Sequence, residues 1–434
     1  MSVSRNSAIK ISKTPLQVVN RRQGSRRESP ILLEGRPSVV GVSLVQYHPD
    51  FANIVGKDAR HALLISSAES SRNAFFHSGC AYVLEPEASP DQPGGGSANG
   101  NRSGNGNVDG REEVLYTTSN LLQTTSSSQL PVVLISRIAL RRSPTGEVTA
   151  VDWAKLRPPT TMPMPAGAIS YGGSGLASAS TNPITASTSG GVLYCAQGNP
   201  SPGTSGLFYM PRGKPPLPLV TSYYGREFNS VHDVARAPDG SLWFTDPCHG
   251  FEQDFRKKPQ LPCHIYRFDP VTGDLRVVAD GLQRPTGICF GHDAMTVYVT
   301  DTDALHGDGN QDATRAATIY AFDVVRRGGA DFLANKRVFA YALRGVPMGI
   351  RCDAAGNVYA GCADGVEVWN LGGMLLGVIE VTGGVTSFCF SREGEMFLCS
   401  EQTLWWVHFK PKVDVARWGA SVVPMTVDPD DNFI

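Results

Sequence analysis

The sequence predicts an all-β protein: a six-bladed β-propeller with a disordered N-terminal tail and low-complexity loop insertions. Three observations point there. Between Phe228 and Asp301 the chain carries two successive strand–turn–strand units. In the first, Val231-His232-Asp233-Val234 leads through Pro238-Asp239-Gly240 to Leu242-Trp243-Phe244-Thr245-Asp246; in the second, Thr286-Gly287-Ile288 leads through His292-Asp293 to Val297-Tyr298-Val299-Thr300-Asp301. Each is an alternating apolar strand, a turn tolerant of positive φ, and a strand ending in Thr-Asp. Repetition of one such unit along a chain is the mark of a propeller, which sets the starts of its inner strands around a central channel. Composition agrees, since 46 Gly and 30 Pro among 434 residues supply the many tight turns that six antiparallel blades need.

The elements follow in order. Residues 1–38 are basic and Ser-rich without apolar periodicity, and read as a disordered tail. The propeller is expected over 39–410, beginning with strands at His61–Ser67 and Cys80–Leu84. Residues 88–111 form a Gly/Asn/Ser insertion inside a hairpin, and 156–190 form a second Pro/Ser/Thr/Gly-rich insertion with a weak blade core near Ala168-Ile169-Ser170. From Phe228 the units are regular: His232–Asp246, Thr286–Asp301, Met348–Cys362 and Thr386–Ser400. Outer strands lie between them at Ile265–Phe268, Ile319–Phe322, Val366–Trp369 and Leu404–Val407. Four clear units and two in the interrupted first half give six blades. Residues 411–434 read as a tail, and Asp301–Asp308 as a solvated blade loop.

Charge and cysteine usage exclude several partners. A net charge of −1 offers no field for nucleic acid or an anionic membrane surface, and no apolar run is long enough for a spanning helix. Nine cysteines, mostly set in apolar strands without metal-type spacing, read as reduced buried thiols, and no zinc site is expected. An apolar h-region is missing from the N-terminus, so a cytoplasmic location is expected, although the basic residues 1–27 are also compatible with an organelle transit peptide.

Several runs carry a family resemblance. Asn229-Ser230-Val231-His232-Asp233-Val234 with Trp243-Phe244-Thr245-Asp246-Pro247 resembles the "NSPNDV…WFTDP" motif of the SMP-30/gluconolactonase family. Arg284-Pro285-Thr286-Gly287, Tyr298-Val299-Thr300-Asp301 and Gly361-Cys362-Ala363-Asp364-Gly365 extend the likeness, which is nearest to the fungal lactonohydrolase branch and dense from about 222 to 405. The resemblance implies lactone hydrolysis assisted by a divalent cation held by one Glu, two Asn and one Asp. Carried over position by position, those ligands fall on Ser78, His232, Thr286 and Met348. All four differ from the pattern and both carboxylates are replaced, so no metal and no cofactor are expected.

The candidate catalytic residues are therefore His232, Asp233 and His77, the last matching the family's "FHE" histidine. Ser78, Thr286, Met348, Arg351, His249 and Tyr224 are candidate substrate-binding residues. A channel floor that has become less charged suits a small apolar substrate steered by few hydrogen bonds. The leading expectation is metal-independent cyclisation or cycloaddition in fungal secondary metabolism, which needs orientation and one or two donors to a carbonyl. The alternatives are lactone hydrolysis and a non-catalytic ligand-binding propeller. The sequence is silent on oligomeric state.

Overall fold

A computed structural model describes residues 9–11, 13–16, 18–20, 41–86, 111–122, 131–172 and 190–410. Among the described residues six blade sheets with antiparallel cores follow one another along the chain, beside a two-stranded hairpin at 222–227. The first blade comprises Ser78–Pro86, Arg111–Thr118, Ile135–Arg142 and Val148–Leu156; the second comprises Pro165–Tyr171, Gly191–Ala196, Gly206–Pro211 and Leu217–Val220. Val234–Arg236, Leu242–Asp246, His264–Phe268 and Leu275–Ala279 make the third, and Pro285–Phe290, Thr296–Asp301, Thr318–Arg327 and Ala330–Tyr341 the fourth. The fifth holds Ile350–Cys352, Val358–Cys362, Gly365–Trp369 and Leu375–Val381, with Val42–Gln46 added at its outer edge. In the sixth, Ser387–Phe390, Glu395–Ser400 and Thr403–His408 are completed by Arg60–Ser66 from the other end of the chain. The inner strands touch in cyclic order, the sixth returning to the first, so the ring is closed.

The recurring Thr-Asp has a physical reason. Asp246 accepts the backbone N–H groups of Asn229 and Ser230 at 2.9 and 2.7 Å, and Asp301 accepts those of Gln283 and Arg284 at 3.0 and 2.9 Å. Each carboxylate thus satisfies the turn that delivers its blade's inner strand. The threonine bonds sideways to the next blade. Thr118 donates to Ala166 O, Thr245 to Thr286 O and Thr300 to Met348 O, all at 2.8–2.9 Å, and Thr386 donates to His77 O across the closure. Glycine permits the close approach of inner strands. A Cβ on Gly167 would stand 2.4 Å from His232 O, and one on Gly287 2.3 Å from Met348 O.

The apolar core lies between blades. Phe228, Phe244 and Tyr266 form one fully buried aromatic group under the third blade, and Phe388, Leu398 and Val407 pack between the fifth and sixth.

Three expectations need correction. The segment expected to be a structureless tail holds three short strands: Ile9–Lys10 pairs with the first blade, Thr14–Pro15 with the sixth and Val18–Asn20 with the fifth. Lys13, between the first two of these strands, bonds Glu147 at 3.0 Å. Pro165–Tyr171, read as a weak blade core within an insertion spanning 156–190, is the inner strand of a complete blade, so the insertion's bounds are too wide. Arg111, placed at the end of the first insertion, begins a strand. The remainder of both insertions, 88–110 and 173–189, and the tail 411–434 lie outside the described residues.

Candidate functional site

The inner strands and the loops at their starts enclose a cavity of about 220 Å³ on the propeller axis. Its polar wall includes His77, Ser78, His232, His249, His306 and Gln253; Leu121, Val133, Leu305, Val346 and Met348 are among its apolar residues. Among the described residues no Asp, Glu, Lys or Arg lines it. A smaller, deeper cavity of about 10 Å³ shares His77, Ser78, His232 and Met348 with the first and reaches Asp233, Thr286 and Arg351. Eight of the nine residues singled out from sequence therefore converge on the axis. Tyr224 does not: it sits on the Ser222–Glu227 hairpin, 79% exposed, and lines neither cavity.

Each imidazole has its own environment. His77 Nδ1 lies 2.8 Å from Glu401 Oε1, a residue held at the start of the last hairpin by the Phe76 N–H to Glu401 O bond. Burial alone would lower the His77 pKa, but the charge of Glu401 and the hydrogen bond to it outweigh burial and raise it above 6.5. Burial likewise favours the neutral form of Glu401, and His77 overrides it, so its pKa is lowered. His232 has the opposite fate. Burial, then the like charges of His249 and His77, hold it well below 6.5, and its Nδ1 has no protein partner. The His232 and His249 rings meet edge to face, centroids 5.3 Å apart.

His249 stands in the one-turn helix His249–Glu252, its Nε2 3.3 Å from the Thr286 hydroxyl and its Nδ1 3.6 Å from Glu252. Glu252 belongs chiefly to others: Arg284 Nε donates to it at 2.9 Å and Gly307 N–H at 2.7 Å. Asp233 closes the floor with Arg351, 3.4 Å away, and accepts Ile288 N–H at 3.2 Å. Burial raises the Asp233 pKa, and Arg351 offsets part of that.

Sequence reasoning missed three contributors. Glu401, not among the site residues chosen from sequence, is the His77 partner. Residues 301–308, read as a solvated loop, supply Thr302, Leu305, His306 and Gly307 to the upper cavity. Asn120 and Gln197 add amides that no motif marked, and Gln253 a third that was not chosen as a site residue.

The SMP-30/Gluconolactonase/LRE-like region matches residues 185–402, half of the sequence. The chain belongs to the SMP-30/gluconolactonase family. Among characterised proteins it is 32% identical over 213 residues to the lactonohydrolase oryL of Aspergillus oryzae, covering 46% of this chain and 47% of that one. To a gluconolactonase of Zymomonas mobilis it is 27% identical over 193 residues, covering 42% of this chain and 51% of that one. The chain spans about half the length of the curated relatives it matches. A solved gluconolactonase from Xanthomonas campestris superposes with a TM-score of 0.57 at 21% identity, over 94% of this chain and 98% of that one. A putative gluconolactonase gives 0.55 at 18%, over 84% and 97%. These two structures establish the family's propeller fold for this chain. Among the described residues no helix is long and apolar enough to cross a membrane.

Proposed function

We propose that the axial cavity hydrolyses a small lactone by imidazole acid–base chemistry. The observation that carries this reading is a pair of histidines in one cavity with opposite tuning: His77, bonded to Glu401 at 2.8 Å, and His232, half-buried beside other imidazoles. Titratable groups pushed apart by their surroundings mark out an acid and a base. Near neutral pH His232 is the neutral proton acceptor for an attacking water. His77, its Nδ1 committed to Glu401, presents Nε2–H to the departing ring oxygen. Asp233 and Arg351 neutralise each other on the floor, Thr286 and Ser78 supply hydroxyls, and Met348 and His249 shape the wall.

The substrate is small because the cavity lies below the 300–1,000 Å³ usual for drug-sized ligands. The family relatives named above are lactone hydrolases, which supports hydrolysis over the cycloaddition expected from sequence.

The divalent cation implied by the family resemblance does not fit these residues. The four corresponding positions offer two hydroxyls, an imidazole and a thioether, whereas a hard cation takes carboxylate and carbonyl oxygens. Thr286 Oγ1 already meets Thr302 and the Arg284 carbonyl at 2.8 and 3.0 Å. Asp233 faces the guanidinium of Arg351. Among the described residues no three His, Cys, Asp or Glu side chains form a group able to hold a metal ion.

Hydrolysis of a panel of five- and six-membered lactones by the full chain, followed by proton release with and without chelator, tests the reading. Turnover indifferent to chelator is expected. Activity that vanishes with chelator and returns with calcium would overturn it.

A further inference from the structure

The two cavities stand in line, the larger at the mouth and the smaller on the floor, joined through His77, Ser78, His232 and Met348. The floor cavity, about 10 Å³, is close to the roughly 10–15 Å³ that one water requires, and a buried water needs two to four polar partners. Its polar lining is His77, Ser78, His232, Asp233, Thr286, Arg351, Thr386 and Ser387.

Most of these groups are already engaged. Asp233 bonds Arg351 and Ile288 N–H, Thr386 donates to His77 O, and Thr286 lies within the Thr302–Arg284–His249 group. His232 Nδ1 is different. Among the described residues it is the one buried side-chain polar atom of this lining without a protein partner. Such an atom costs on the order of 1–3 kcal/mol if left unpaired, so a native site supplies it with a partner.

The geometry points to the floor cavity as the seat of one ordered water, held at His232 Nδ1, that attacks a lactone carbonyl placed in the upper cavity. This rests on the hydrolytic reading above and adds where the nucleophile waits and from which side it arrives. The water oxygen forms the new bond to the carbonyl carbon, and its proton passes to His232 Nδ1. Collapse of the tetrahedral species breaks the ring C–O bond, and the ring oxygen takes a proton from His77 Nε2–H. His232 then loses its proton to solvent and His77 regains one. The net change is lactone plus water to hydroxy acid. Attack comes from the channel floor and the leaving oxygen faces the mouth, where His77 also lines the wall.

The test separates volume from chemistry at Ser78, the hydroxyl of the throat. Ser78→Val fills the floor with methyl groups, whereas Ser78→Ala leaves the volume open. Relative to the unsubstituted chain, Ser78→Val is expected to lower kcat by about 10²-fold or more, the scale of a lost acid–base step, with Ser78→Ala falling by only about threefold. Product hydroxy-acid affinity and the thermal midpoint report whether either variant is misfolded. A crystal of the full chain grown with chelator gives the direct readout: one peak without anomalous signal at hydrogen-bond distance from His232 Nδ1. A metal or chloride there, no peak with Nδ1 bonded to protein, or unchanged kcat in Ser78→Val would each overturn the inference while leaving lactone hydrolysis standing. A chain inert on every lactone would remove the hydrolytic reading, and the nucleophilic role with it.

Discussion

Two imidazole–carboxylate pairs flank the mouth of the channel, and their carboxylates do different work. Glu401 lies 2.8 Å from His77 Nδ1 and is the main determinant of that ring's raised pKa against burial. Glu252 is 3.6 Å from His249 Nδ1, too far for a hydrogen bond, and is held instead by Arg284 and Gly307. The first pair tunes a proton donor. The second fastens the loop that carries Leu305 and His306 to the short helix that carries His249. A histidine beside a glutamate is thus not one kind of site; the distance and the glutamate's other partners decide what it does.

The largest expected effect separates the rings themselves. His77→Gln should lower kcat on a lactone by about 10²–10⁴-fold, the range for loss of a positioned acid. His249→Gln should change KM and leave kcat within about tenfold, as expected of a group whose contribution is to binding. Steady-state kinetics of the two variants under identical conditions checks this, and equal losses in kcat would break the comparison.

A second effect concerns pH. The productive form needs His232 neutral and His77 protonated, so kcat should follow a bell between a pKa well below 6.5 and one above it. Glu401→Gln removes what raises His77 and leaves the burial that lowers it. The alkaline limb should therefore move to lower pH, while the acid limb, set by His232, shifts less. Folding follows the same groups. The raised pKa of His77 contributes stability that is fully present below 6.5 and lost as pH rises through the higher folded value. The lowered pKa of Glu401 contributes stability present above 4.5 and lost as pH falls through the lower folded value. The pair is worth most between about 4.5 and 6.5, and unfolding midpoints of the wild-type chain and Glu401→Gln should differ most there.

How much of this was legible in the sequence varies by region. The third to sixth blades were readable because each repeats an alternating pattern, and in the third and fourth the terminal Thr-Asp has a fixed job, capping a turn and bonding the next blade. Position-by-position matching then placed Ser78, His232, Thr286 and Met348 on one axis. Glu401 was not readable as a partner of His77, because 324 residues separate them and only closure of the ring joins the first and sixth blades. The second blade's inner strand was legible only as a weak core at Ala168-Ile169-Ser170, because Pro165-Ala166-Gly167-Ala168-Ile169 is short and weakly apolar among Pro- and Ser-rich sequence. The rim strands near the N-terminus were hidden for a related reason. Two or three residues pairing with an outer edge need no apolar periodicity of their own.

The smallest effect belongs to Glu252. In Glu252→Gln the amide keeps the size of the side chain and an acceptor for Gly307 N–H, but the charge that holds Arg284 is lost. Arg284 keeps Asp303 as a partner, so it is not left as an uncompensated buried cation, and the cost to stability should stay at about 1–2 kcal/mol. The loop over the cavity would loosen where Arg284, bound to its Asp303, is no longer held to the helix by charge. Substrate ordering should therefore weaken with little change in the chemical step: KM should rise by about threefold to tenfold with kcat and the shape of the pH profile preserved. A displaced alkaline limb in Glu252→Gln would mean that this carboxylate tunes a proton donor after all, and the distinction between the two pairs would fall.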